Sequence, residues 1–209
     1  MTDLTYPAKG LDLYAGTLTQ EQLVAAKAAG MQFILHYYGG SKGKDLTAAS
    51  AIATSDLDMW CGAVFEAGGD QASYFSGSQG VIDATEAIAQ ATAVGQPKGS
   101  AIYFAVDFGP LPADMADITA YFGAVASRVH TAGYKMGAYA CGSVLVALKA
   151  LGLIDYDWLA GALGWPWSRA YQNPAMMQYP TSNLAGVGSV DLDTAFREAG
   201  LFQVEVPNA

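Results

Sequence analysis

Short apolar runs alternate with helix-length segments along most of this chain. Residues 10–15 (GLDLYA), 33–38 (FILHYY), 59–66 (MWCGAVFE), 101–108 (AIYFAVDF) and 135–141 (KMGAYAC) are near-continuous hydrophobic stretches bounded by turn residues. That is the pattern of strands covered on both faces. Between them lie helical patterns at 20–29, 46–57, 81–94, 114–131 and 144–151. Thr19 and Gln22 have the spacing of a capping box, Gly30 closes the first helix, and Gly95 with Pro97 ends the third. Asp114 is expected to cap the fourth, with Asp117 in its first turn and Gly133 beyond its end. Three further short strands are predicted at 156–163, 175–179 and 189–192, joined by connections too short for amphipathic helices.

Apolar strands joined by helices predict an α/β fold with a parallel sheet. Eight strands with about five main helices suit an abbreviated TIM-type (β/α) barrel, shorter than the roughly 250 residues usual for that fold. An open doubly wound sheet is the alternative. No linker, repeat or low-complexity segment interrupts residues 1–209, so one domain is expected.

Composition narrows the function classes. Hydrophobic residues make up 52% and charged ones only 14%, which excludes a disordered chain. A net charge of −9 argues against nucleic acid, which requires clustered Lys and Arg. Cys61 and Cys141 lie in apolar runs and read as buried free thiols; with only His36 and His130 besides, a His- or Cys-built zinc site is excluded on supply. No basic segment followed by an apolar one opens the chain, so no signal peptide is expected. The most apolar stretch is too short and Gly-interrupted to span a membrane. A soluble monomer made in the cytoplasm, with no cofactor and no membrane partner, is the expectation.

In a parallel barrel, chemistry sits at the C-terminal strand ends. The polar residues there are mostly acidic: Asp12, Glu66, Asp107, Asp191 and Asp193, with His36, Tyr37 and Tyr38 at the end of the second strand and Tyr139, Trp165 and Trp167 as further aromatic company. Carboxylates converging on one mouth repel, which raises some pKa values and creates a general acid beside an ionised partner. Aromatic rings around such a cluster suit the apolar C–H faces of sugars, so the pattern points to glycoside hydrolysis. Several of these residues have plainer readings. Asp193 reads equally as a cap for a helix starting near Thr194, and Glu66, before a Gly-Gly turn, as a solvated loop residue. His36 reads as a packed barrel residue, His130 as a cation at a helix end, and Trp60 and Trp158 as core.

The run AIYFAVDF resembles the fourth strand of the bacterial glycoside-hydrolase-like domain related to Chalaropsis-type (family 25) lysozymes. GLDLY, FILHYYG, the FE of Phe65 and Glu66, GYKMGAYACGSVL, WLAGA, MQY and VDLD follow the same order and spacing over nearly the whole chain. The resemblance implies a barrel of eight strands and five helices, and hydrolysis of β-1,4 bonds in peptidoglycan after N-acetylmuramic acid. It places Asp12 and Asp191 on the family's first- and last-strand acids and includes Gln178 of MQY among the substrate contacts. The family's fourth-strand Asp-x-Glu pair departs here: Ala105 replaces the Asp and Asp107 the Glu. Asp is one methylene shorter, about 1.5 Å, and a misplacement of about 1 Å costs on the order of 100-fold in rate. Glu66 on the neighbouring strand is the residue expected to supply the missing carboxylate.

The resulting expectation is a muramidase with Asp107 as acid, Glu66 or Asp12 as ionised partner and Asp191 positioning substrate. Tyr38, Tyr139, Trp165, Trp167 and Gln178 would line the cleft. Access to a cell wall would then need release by phage lysis or a dedicated secretion system. A non-catalytic glycan-binding module accounts for Ala105 more directly. A divalent-metal hydrolase using the same carboxylates is a third reading, separable by its response to chelator.

Overall fold

The computed structural model describes residues 4–13, 16–39 and 43–205; Tyr14 and Ala15, expected at the end of the first strand, lie outside them. Eight strands close into a barrel in sequence order: β1 (Ala8–Asp12), β2 (Phe33–Tyr38), β3 (Trp60–Phe65), β4 (Ala101–Ala105), β5 (Lys135–Ala140), β6 (Tyr156–Leu159), β7 (Met176–Leu184) and β8 (Gly188–Ala195). Five helices pack outside it: α1 (Gln20–Ala28), α2 (Ala48–Ser55), α3 (Gly77–Val94), α4 (Met115–Thr131) and α5 (Gly142–Ala150). The closed ring removes the open-sheet alternative.

One feature departs from the all-parallel expectation. β1 to β7 run parallel, but β8 is antiparallel to both β7 and β1. With no helix between them, β7 and β8 form a hairpin, and two strands joined by a short turn must run in opposite directions. The mouth end of β8 is therefore its beginning. The hairpin overshoots the barrel, and Val187 at its tip packs with Leu23 and Ala26 of α1, its carbonyl accepting from Gln22 Nε2.

Helix starts follow local chemistry. The Thr19–Gln22 capping box forms as expected, and Thr47 and Ser50 make a second one ahead of α2. Ser76 caps α3, which begins four residues before the predicted start, and Gly80 lets the helix lie against the α4 backbone at Tyr121. Asp114 does not cap α4. Its carboxylate accepts from the Leu111 amide and closes the 3-10 turn ahead of the helix.

Side chains alternate inward and outward along each strand. The inward set includes Phe33, Leu35, Tyr103, Trp158 and Met176, which fill the lower barrel. A Cβ on inward Gly10 or Gly137 would overlap the rings of Phe33 or Tyr103, so these glycines make room for the large neighbours. The outward set, with Ile102, Phe104, Met136 and Ala138, packs beneath α3, α4 and α5. Cys61 and Cys141 are buried free thiols. No helix of the described residues is long and apolar enough to cross a membrane.

Candidate functional site

Inward parity continues past the strand ends and determines what reaches the mouth. Glu66 donates its amide to the Tyr38 carbonyl, and Val106 its amide to the Tyr139 carbonyl, so β3 and β4 keep their ladders for another residue. Asp12, Tyr37, Val64, Glu66, Ala105, Asp107, Tyr139, Trp158, Gln178 and Asp191 all fall on that face and line one cavity of about 430 Å³, with Lys44 and Asp70 on its rim. The glycine turn after Glu66 shapes the wall. Gly69 has φ 114°, a conformation that favours glycine, and its carbonyl accepts from the Asp107 amide at 2.8 Å. A larger cavity of about 760 Å³ at the opposite end is lined mainly by Trp60, Phe202, small residues and helix ends.

The acids occupy different depths. Asp12 is 1% exposed, and both its oxygens accept hydrogen bonds at 2.8 Å, from Tyr37 Oη and from Gln178 Nε2. Burial outweighs those bonds and pushes its carboxyl up to about 6, with the Asp191 charge adding to the rise. Tyr139 Oη donates to Gln178 Oε1 at 2.8 Å, extending the chain across the cleft. Asp193 lies one register step deeper, fully buried. One of its oxygens accepts from Trp158 Nε1 at 2.9 Å, and the other finds no hydrogen-bond donor among the described residues. Burial, then the charge of Asp12, holds Asp193 well above the usual carboxylate range. It is a strand residue and caps no helix, correcting that reading.

Asp107 is half-buried at the mouth. Burial raises its pKa first, followed by the charges of Glu66 and Asp70; Lys44 and a bond from Tyr139 oppose the rise. Glu66 is pinned: Lys44 Nζ lies 2.9 Å from its Oε2 and 3.5 Å above the Tyr37 ring. Lys44 itself is 6% exposed. Asp191 accepts from Thr181 Oγ1 and stands opposite Asp12 in the β1–β8 ladder. The four acids singled out from sequence are thus brought together.

The aromatic set is rearranged. Tyr139 and Gln178 line the cavity, but Tyr38 does not. It lies on the outward face of β2, where its hydroxyl donates to Gln96 Oε1 at 2.9 Å beneath the helices. Its neighbour Tyr37 takes the inward place, because it shares the parity of Phe33 and Leu35. Trp165 and Trp167 are also absent from the cavity wall: Trp165 packs half-buried against the outer core, beside Gly109, and Trp167 is 70% exposed with φ 63°. Trp158, read as core, closes the cavity floor with its ring 4.5 Å from Tyr139.

His36 is buried on the outward face of β2, and burial pushes its imidazole down to about 4. His130 Nε2 sits 2.7 Å from Asp155, away from the mouth. Lys44 is the site residue that sequence reasoning missed, while Tyr37 and Asp193 were seen at strand ends but not carried into the expected catalytic or cleft-lining set. Strand parity points to Tyr37; nothing in GSKGKD distinguishes Lys44 from a solvated loop lysine. Among the described residues no three His, Cys, Asp or Glu side chains are disposed to hold a metal ion.

Known proteins share this arrangement of strands. The Mycobacterium tuberculosis Tat-secreted protein Rv2525c, solved with L-tartrate, superposes with a TM-score of 0.80 at 22% identity, covering 93% of this chain and 98% of its own. The modular autolysin LytC of Streptococcus pneumoniae, solved with a synthetic peptidoglycan ligand, has a TM-score of 0.62 at 17% identity, over 92% of this chain and 47% of LytC. Uncharacterized protein YbfG of Bacillus subtilis (strain 168) is 30% identical over 164 residues, which are 69% of this chain. This chain spans only 22% of the length of YbfG. The model of the Rv2525c-like, glycoside hydrolase-like domain matches residues 24–195, and the chain belongs to that family.

Proposed function

We propose that this domain hydrolyses β-1,4 glycosidic bonds of peptidoglycan glycan strands. The observation that carries this reading is the pairing at the mouth: a half-buried Asp107 whose carboxyl is raised above its ordinary value by burial and by the charge of Glu66, beside a Glu66 held as an ion pair by Lys44. A raised acid beside a fixed carboxylate is what protonation of a leaving glycosidic oxygen requires. Asp107 donates that proton and Glu66 supplies the negative charge facing the developing oxocarbenium ion. Asp12 has both oxygens engaged and acts from below, orienting Tyr37 and Gln178. Asp191, with Tyr139 and Gln178, positions the sugar. The peptidoglycan ligand of LytC and the lytic proteins sharing the barrel support the choice of glycan. Reaching the cell wall requires release by lysis or secretion, as the Tat-secreted relative illustrates.

A second reading has its own observation. Ala105 leaves a methyl group where the lysozyme relatives carry an Asp, and a glycan-binding module without turnover would tolerate that loss. Incubating wild type and Asp107→Asn with purified peptidoglycan, followed by mass spectrometry of new reducing ends, separates the two. Muropeptides ending in reducing N-acetylmuramic acid with wild type alone are the expected result. Sedimentation onto the glycan by both proteins with no product would establish the binding module instead.

A further inference from the structure

Among the described residues lining the mouth cavity Lys44 is the one ammonium, and it is almost completely buried. A buried lysine is retained only where its charge is matched. Here the match is specific. The Nζ sits 2.9 Å from Glu66 Oε2 and 3.5 Å above the Tyr37 ring, whose hydroxyl in turn donates to Asp12. Its backbone is anchored too: Asp45 bridges to Tyr37, and the Leu46 amide donates to the Tyr37 carbonyl at 2.9 Å. The loop after β2 thus delivers one fixed cation between the carboxyls of β1 and β3.

We propose that Lys44 is a positioning residue of this site. By pinning the Glu66 carboxylate as an ion pair against the Tyr37 ring, it leaves Asp107 as the carboxyl that carries the proton. This rests on the reading of Asp107 and Glu66 as the working pair. Without Lys44, Glu66 and Asp107 would be two neighbouring carboxyls in one partly dry cleft, and such a pair shares its proton between both members. Only one of the two placements puts the proton on the acid. The other charged and titratable groups around the pair are Asp70 and Tyr139 near Asp107, Tyr37 and Tyr139 near Glu66, and the carboxyls of Asp12 and Asp191 across the same cavity. Among the cavity-lining residues Lys44 is therefore the group that separates the two carboxyls by charge.

The test is a carbon-13 NMR titration of the Asp and Glu side-chain carboxyls in wild type, Lys44→Gln and Lys44→Arg, alongside the pH–rate profile on peptidoglycan. In wild type the Asp107 signal is expected to titrate in a step of its own, one that the Glu66 signal does not share and that is distinct from the steps of the deeper Asp12 and Asp193. In Lys44→Gln that step appears on both signals and moves up by on the order of half a pH unit or more. The kcat falls about twofold or more with KM within threefold, since half or more of the protons sit on the wrong acid. Lys44→Arg keeps the charge and restores the wild-type pattern. An Asp107 step already shared with Glu66 in wild type, or one unchanged in Lys44→Gln, overturns the proposal. Should Lys44→Gln fail to fold, the wild-type titration alone still decides. A wild type that forms no product but shows the predicted titration refutes the hydrolase and leaves the role of Lys44 standing.

Discussion

Replacing Asp12 by Asn should make the protein more stable at pH 8 and slightly less stable at pH 4. Asp12 is buried, with its folded pKa raised from 3.8 to about 6. A carboxyl held above its unfolded value favours the protonated form in the fold, so its ionisation is a penalty that grows as pH rises from about 4 to 6. Above both values the penalty is constant at 1.36 kcal/mol per unit, on the order of 3 kcal/mol in all. Asn removes the charge but brings an amide to a place where Tyr37 and Gln178 both donate. A flip of the Gln178 amide resolves the conflict, turning Oε1 to Asn and Nε2 to the Tyr139 hydroxyl. The flip sacrifices the bond from the Gly161 amide, 3.3 Å long, which costs about 1 kcal/mol. The net gain at pH 8 is about 2 kcal/mol, or roughly 4–8 °C in Tm for a domain of this size. Urea unfolding of both proteins at pH 4, 6 and 8 reads it. A variant equally destabilised at pH 4 and pH 8 would refute the reasoning, because Asp12 would then be an ionised, net stabilising group.

Four other outcomes follow from the same geometry. Tyr38→Phe should lose about 1 kcal/mol of stability with its Gln96 bond and keep full activity. Tyr37→Phe should cut activity tenfold or more, and equal activity losses in the two would undo the parity assignment. Asp107→Asn should lower the release of reducing ends by about 100-fold or more without lowering Tm, since burial and the charges of Glu66 and Asp70 already disfavour its ionised form. Ala105→Asp should destabilise the fold by about 1 kcal/mol at pH 8 and by less at pH 5, measured by denaturant titration, and should not raise turnover. A tenfold gain in turnover would show that Glu66 is not the partner of Asp107.

What the sequence disclosed depended on whether a residue type is costly where it was found. Asp12 and Asp107 stand in apolar runs, where a carboxylate needs a reason, and both lie at the mouth. The Thr19 capping box was legible because it is local. Chain direction was not: a two-residue period looks the same read either way, so the reversal of β8 left no trace in VDLD. The short gap between the last two strands was the available hint. Tyr37 and Tyr38 are identical in type and adjacent, so only the parity counted from Phe33 and Leu35 separates them. Trp165 and Trp167 carried a composition signal for sugar binding, but their loop runs outside the barrel ends, against Gly109 and Gly142. Lys44 was invisible, because its burial comes from the carboxylate and ring it meets across the cleft.

The register of β3 against β4 gives Ala105 a physical reason. Phe65 is level with Phe104, so one residue further along Glu66 is level with Ala105, and both point inward. In the resemblance to the lysozymes the two carboxyls sit two residues apart on one strand, a Cα separation of roughly 6.6 Å along it. Here the second carboxyl has moved sideways by one strand, about 4.8 Å, and its longer side chain occupies the mouth beside the methyl of Ala105. An Asp at 105 would stand directly opposite Glu66, and like charges at opposed cross-strand positions are destabilising. In this chain a carboxylate on β3 therefore goes with a neutral residue opposite it on β4. Lys44 belongs to this arrangement, since its ion pair is with the β3 acid. The departure from Asp-x-Glu is then a relocation of charge within one mouth, with Asp107 reaching from the same strand and Glu66 facing it from the next.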